Sequence, residues 1–171
     1  MFEYKGKTYK GAQELLDNYR KLDEEFWDYH EEEGLEEKRQ KAEEAWDAVF
    51  AYWMKLLKDA TVGMKDVSED EYDEVYYGLL DEIEILVEDI IEADSATDYK
   101  VTYRDLEKTY ENRTYYFEDF APSKLIFGID ATYSPYYGCE FDRLNPKAYL
   151  KVPVTKYEYR PIGTMESDED E

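Results

Sequence analysis

Apolar residues recur at steps of three and four in three successive runs between Ala12 and Ala93, and this spacing stops after Asp94. Steps of three and four bring side chains onto one face of an α-helix, whereas a half-buried strand would alternate. The first run is Leu15, Tyr19, Leu22, Phe26 and Tyr29. It predicts a helix from Ala12 to Glu33, ended by Gly34. The second run, Ala42, Ala45, Trp46, Val49, Phe50, Trp53, Leu56 and Leu57, predicts a helix from Leu35 to Asp59. The third, Tyr72, Val75, Tyr76, Leu79, Ile83, Leu86, Val87, Ile90 and Ile91, predicts a helix from Glu69 to Ala93. Ser68 and Glu71 have the spacing of a capping box at its start. Long amphipathic helices with short, glycine-marked connections predict an antiparallel three-helix bundle.

The flanking sequence reads differently. Residues 2–9 alternate around Lys5-Gly6, as a tight hairpin would. Beyond the polar break at 95–98, alternation from Tyr99 to Arg104 predicts a strand. Lys124 to Asp130, Ala148 to Val152 and Thr155 to Arg160 read as further strands, and residues 105–112 as a short helix. Five prolines punctuate the region as turns between short strands would. The expected fold is therefore α+β. An N-terminal hairpin and antiparallel three-helix bundle (1–95) pack with a smaller, mostly β C-terminal part (96–165), followed by a disordered acidic tail (166–171). With 43% apolar residues the chain is not of a disordered composition, despite its charge.

That charge is unevenly placed. There are 44 acids against 21 bases, a net of −23. Residues 1–95 hold 29 acids and 11 bases, residues 96–165 hold 10 of each, and the tail adds five acids. Charge kept only for solubility would not segregate in this way. Between Asp66 and Tyr99 there are 14 acids and no lysine or arginine. Surface helices normally mix signs, because opposite charges four residues apart stabilise and like charges destabilise. The third helix would span about 40 Å at 1.5 Å per residue. One DNA strand carries about 12 phosphates over that length.

On a helical wheel, Asp70, Glu74, Asp81, Glu84, Glu88 and Glu92 lie opposite the apolar stripe. Tyr77 and Ile85 fall among them. They read either as contact anchors ringed by charge or as positions that the β part covers. Asp23, Glu24, Glu25, Asp28, Glu31, Glu32 and Glu33 crowd the C-terminal end of the first helix, where the helix dipole favours cations.

Several chemistries lack their residues. The chain has one histidine, His30, and one cysteine, Cys139, so neither an internal disulfide nor a Cys/His zinc motif can form. His30 lies in an acidic run, where pairing with neighbouring carboxylates is the ordinary role. No EF-hand loop and no glycine-rich phosphate loop occurs. Among so many acids, spacing singles out no catalytic carboxylate pair, and no cofactor or metal is expected beyond weak divalent-cation binding. Lys100, Arg104, Lys108 and Arg113 interleave with five tyrosines, a pattern seen where nucleic acid binds. The whole-protein field and Asp105, Glu107 and Glu111 in the same stretch oppose it. The N-terminus lacks signal-peptide regions and no apolar run approaches a membrane span, so a cytoplasmic location is expected.

Charge, high tyrosine content and the missing catalytic sets point to binding rather than catalysis. In character the chain resembles the DNA-mimic inhibitors that phages use against restriction enzymes and CRISPR effectors. The resemblance implies a basic nucleic-acid-binding protein as partner, without direct contact to nucleic acid or membrane. The alternative is an acidic protein-interaction module, such as a chaperone, antitoxin-like or phage accessory protein, that binds a basic partner without imitating DNA. A third reading is a carboxylate enzyme with a metal ion. Oligomeric state is left open by the sequence.

Overall fold

A computed structural model of the chain describes residues 1–28, 34–119, 125–141 and 144–163. Strands β1 (Phe2–Tyr4) and β2 (Lys7–Tyr9) pair antiparallel, Phe2 against Tyr9. Lys5 and Gly6 both take positive φ (46° and 80°), as a two-residue turn with the twist of the flanking strands requires. Helix α1 covers Ala12–Trp27 and α2 covers Leu35–Thr61. A short 3-10 turn, Gly63–Asp66, leads to α3, Glu69–Glu92. Five strands follow: β3 (Asp98–Asp105), β4 (Tyr110–Glu118), β5 (Leu125–Ser134), β6 (Gly138–Glu140) and β7 (Lys147–Leu150). They form one antiparallel sheet in the order β3-β4-β5, with β6 and β7 both pairing with β5.

This architecture corrects the expected one. The protein is α+β, with three helices and two antiparallel sheets among the described residues, but it is not a hairpin followed by a self-sufficient bundle with a small β part beside it. The sheet completes the helical core. Trp53 of α2 meets Phe117 of β4 edge-on, with ring centroids 5.1 Å apart. Both side chains are fully buried, in one apolar cluster that runs from Leu15 and Leu16 through Ile83 and Ile90 to Phe127 and Ile129. The physical reason lies in α2. Ala48 and Met54 are buried as well as the predicted stripe, so the apolar surface is too wide to be covered by two helices alone. Strand alternation supplies the rest: Tyr115 and Phe117 of β4 and Phe127, Ile129 and Ala131 of β5 face inward.

Other expectations change locally. Residues 105–112 form no helix. The Asp105 carboxylate accepts the backbone N–H groups of Glu107 and Lys108, each at 3.0 Å, and Thr109 takes φ 54°, so the chain turns tightly into β4. Thr155 to Arg160 is not a strand, and those residues are exposed. Ser68 makes no side-chain cap bond; its backbone carbonyl accepts Glu71 N–H at 3.1 Å instead. The acidic tail, His30 and the end expected for the first helix lie outside the described residues.

Gly128 is required by a close approach. A Cβ there would stand 2.5 Å from the ring of Tyr149, which crosses the sheet to meet Tyr116.

One acid of α3 holds the helices in register. The Glu82 carboxylate accepts Ala12 N–H at 2.6 Å and the Tyr52 hydroxyl at 3.0 Å. It therefore caps the start of α1, whose N-cap residue Gly11 has no side chain to do so. Gly11 also makes room, since a Cβ there would lie 2.8 Å from Glu82 Oε2. The burial of Tyr52 and the Glu82 charge both raise the Tyr52 pKa, so the hydroxyl stays a donor. Replacing Glu82 with alanine orphans both donors and is expected to cost about 1–3 kcal/mol. Thermal unfolding checks this, and an unchanged midpoint would remove Glu82 from the structural set.

Candidate functional site

Helix α3 has 24 residues, eleven of them acidic and none basic. At 1.5 Å per residue that is one carboxylate for about 3.3 Å of axis, against one phosphate for about 3.4 Å along a DNA strand. Glu82 is committed to the fold as described, and Asp89 pairs with Arg20 of α1 at 2.8 Å. Asp70, Glu74, Asp81, Glu84, Glu88 and Glu92 are exposed, and none enters an ion pair among the described residues. Helix α2 behaves in the ordinary way: Arg39 pairs with Glu36 and Glu43, Lys41 with Glu37, and Lys55 with Asp59.

With Tyr77, the six acids step along α3 by four, three, four, three, four and four residues, which is one continuous line on a helix. Tyr77 stands in that line between Glu74 and Asp81 and is 61% exposed. Ile85 does not stand with it. Its side chain is half-buried and packs on the apolar core, so it belongs to the edge of the interior rather than to the outward ridge.

The first turns of α3 depart further from expectation. Tyr72 and Val75, assigned to the buried stripe, are 40% and 41% exposed; burial becomes continuous only from Ile83. Two contacts explain this. Ala12 bonds Glu82 and Arg20 bonds Asp89, so α1 runs parallel to α3 and begins at the level of Glu82. Residues of α3 before that level have no α1 beside them. Tyr72 stacks on Tyr76 (centroids 5.5 Å, 15° between planes), and Tyr76 meets Tyr77 edge-on at 5.9 Å. The Tyr76 hydroxyl donates to Asn145 Oδ1 at 3.1 Å, which fixes the approach to β7 against the helix. Periodicity missed this aromatic face. A signal was present: five of the six residues from Glu69 to Glu74 are acidic, which leaves no polar and apolar sides to distinguish.

Other titratable groups of the sheet bond to one another. Arg113 donates through Nε to Glu111 at 2.6 Å and through Nη1 to the Tyr115 oxygen at 3.0 Å. Its guanidinium lies between the rings of Tyr99 and Tyr133, 4.5 and 3.7 Å from their centroids. Hydrogen bonds from Arg113, and then from Arg104, hold the Glu111 carboxyl below the usual carboxylate range. Burial pushes Tyr115 up to about 12, so it is neutral near pH 7 beside Cys139, whose sulfur is 3.1 Å away. On the outer face of the sheet a shallow polar groove holds Asp130, which accepts Thr114 Oγ1 at 2.6 Å and faces Lys147 Nζ at 3.4 Å. Among the described residues no group of three or more His, Cys, Asp or Glu side chains is placed to hold a metal ion, and no helix is long and apolar enough to cross a membrane. Of the acids at the end of α1, Asp23, Glu24, Glu25 and Asp28 are described, while Glu31, Glu32 and Glu33 lie outside the described residues.

Comparison with protein-family models, with curated proteins and with solved structures finds no match.

Proposed function

We propose that the protein is an acidic mimic of nucleic acid that occupies the basic channel of a nucleic-acid-binding protein, in the manner of anti-restriction or anti-CRISPR inhibitors. It acts by binding, without catalysis of its own, and does so in the cytoplasm of a host cell. The observation that supports this is the line of six exposed carboxylates on α3, unpaired among the described residues, on a helix whose eleven acids taken together approach the axial charge density of a DNA strand. A helical backbone already holds the carboxylates in sequence, and a charged ridge accelerates encounter with a basic groove.

The test is competition. Immobilised protein is exposed to a host lysate at low salt, and the retained proteins are challenged with duplex DNA and with rising salt. Retained nucleic-acid-binding proteins released by both are the expected result. Retention that neither DNA nor salt disturbs would contradict mimicry.

The exposed Tyr72, Val75 and Tyr77 favour a second reading, an acidic interaction module that meets its basic partner through aromatic contact. Alanine at these tyrosines would then weaken binding more than charge changes do, and moderate salt would matter little.

A further inference from the structure

The first turns of α3 combine two features that a phosphate array does not have together. One is an uncovered aromatic face; the other is a run of carboxylates on the same turns. We infer that the aromatic surface of Tyr72, Tyr76 and Tyr77, with Glu69 and Asp73 on the same side of the helix, receives an arginine side chain of the basic partner. The inference rests on the reading of α3 as the partner surface, and it names the residue type that this end of the helix selects.

Charge complementarity requires a cation, since no lysine or arginine lies between Asp66 and Tyr99. The rings choose between the two cations. A guanidinium is flat and weakly hydrated, so it stacks on an aromatic face while its N–H fork reaches carboxylates. An ammonium holds its water more strongly and has no plane to stack. The helix supplies both halves within one turn. Asp73 lies one turn before Tyr77, and Glu69 one turn before Asp73.

This fold already builds the same arrangement once within itself. Arg113 lies between the rings of Tyr99 and Tyr133 with Glu111 as its carboxylate partner. There the arginine comes from the chain. At Tyr72 and Tyr77 the rings and acids are present and exposed, and no basic side chain of the described residues pairs with those acids.

The test uses the full chain with hexa-arginine and hexa-lysine as probes, titrated calorimetrically at one fixed salt concentration. Hexa-arginine is expected to bind more tightly, by about two-fold or more, because a stacked guanidinium gains more from the rings than an ammonium does. Replacing Tyr72 and Tyr77 together with alanine should remove most of that preference, weakening hexa-arginine binding more than hexa-lysine binding. Both positions are exposed, and an unchanged far-ultraviolet melting curve verifies that the variant folds. As a second readout, ring-proton shifts at Tyr72 and Tyr77 should follow addition of the arginine peptide and not the lysine peptide. A preference that the double substitution leaves undiminished, or no preference in the parent chain, overturns the inference. So does self-association of the parent chain that the double substitution removes, because the face would then belong to a second copy. A separate arm tests the ridge. Reversing Asp81, Glu84 and Glu88 should weaken both peptides alike, and unchanged binding of both would count against α3 as the partner surface, whatever the arginine-to-lysine ratio shows.

Discussion

Replacing Phe117 with alanine is expected to destabilise the whole protein by about 3–5 kcal/mol, as large-to-small changes at fully buried aromatic sites do. Phe117 belongs to the sheet, but its ring packs on Trp53 in the middle of α2. The cavity would therefore open between helix and sheet, and the penalty would fall on both. For a chain of this length each kcal/mol lowers the melting temperature by roughly 2–4 °C, so a fall on the order of 10 °C follows. The helical signal at 222 nm and the near-ultraviolet aromatic signal should move together. Helices that keep the parent midpoint while the aromatic signal shifts would mean that the bundle is self-sufficient after all. Val152 and Tyr157 provide the contrast. Both are exposed, and alanine at either should change stability by no more than about 0.5 kcal/mol.

The Trp53–Phe117 contact also shows where sequence reasoning reaches its limit. The three helices are legible because each carries an apolar period of 3.6 over four or more turns, although α3 buries that face only from Ile83 onward. The strands at Tyr99, Leu125 and Lys147 are legible from alternation and prolines. What spacing does not carry is which apolar face meets which. Ala48 and Met54 widen the stripe of α2, yet small or flexible residues beside a stripe do not announce a sheet. Residues 105–112, read as a short helix, mislead for a different reason. Asp105 and Thr109 bend the chain through a side-chain bond and a left-handed backbone, and neither has a period. Thr155 to Arg160 has the alternation of a strand but pairs with no strand among the described residues; propensity alone does not make a ladder.

The candidate site divides in the same way. The acidic line from Asp70 to Glu92 needs only the helical repeat to be read, because acids placed opposite an apolar stripe face water. The roles of the remaining acids were hidden. Glu82 serves as a cap on another helix, and Asp89 as a partner for Arg20; both depend on contacts about 70 residues apart in sequence. Ile85 was drawn into the ridge by its position on the wheel, while the packing of the core takes it inward. Tyr72 and Val75 went the other way, because the start of α1 leaves them uncovered.

The ridge is the part of the molecule on which the proposed function depends, and placement can be separated from total charge. Asp81, Glu84 and Glu88 are exposed and unpaired among the described residues, so changing all three to lysine relieves like-charge repulsion and should not harm the fold. The substitution alters net charge by six units. A control that reverses Glu3, Glu24 and Glu140 alters it equally, and these acids are exposed but lie off the ridge. The decisive measurement is the affinity of each variant for the partner captured in the competition experiment, at fixed ionic strength, with inhibition of the partner's nucleic-acid binding read in parallel. Loss of affinity on the order of 10³-fold is expected for the ridge variant, from three charge pairs each worth about 1.5 kcal/mol or more. The control should lose far less. Equal losses in the two variants, or full inhibition by the ridge variant, would contradict the assignment of α3 as a surrogate for nucleic acid.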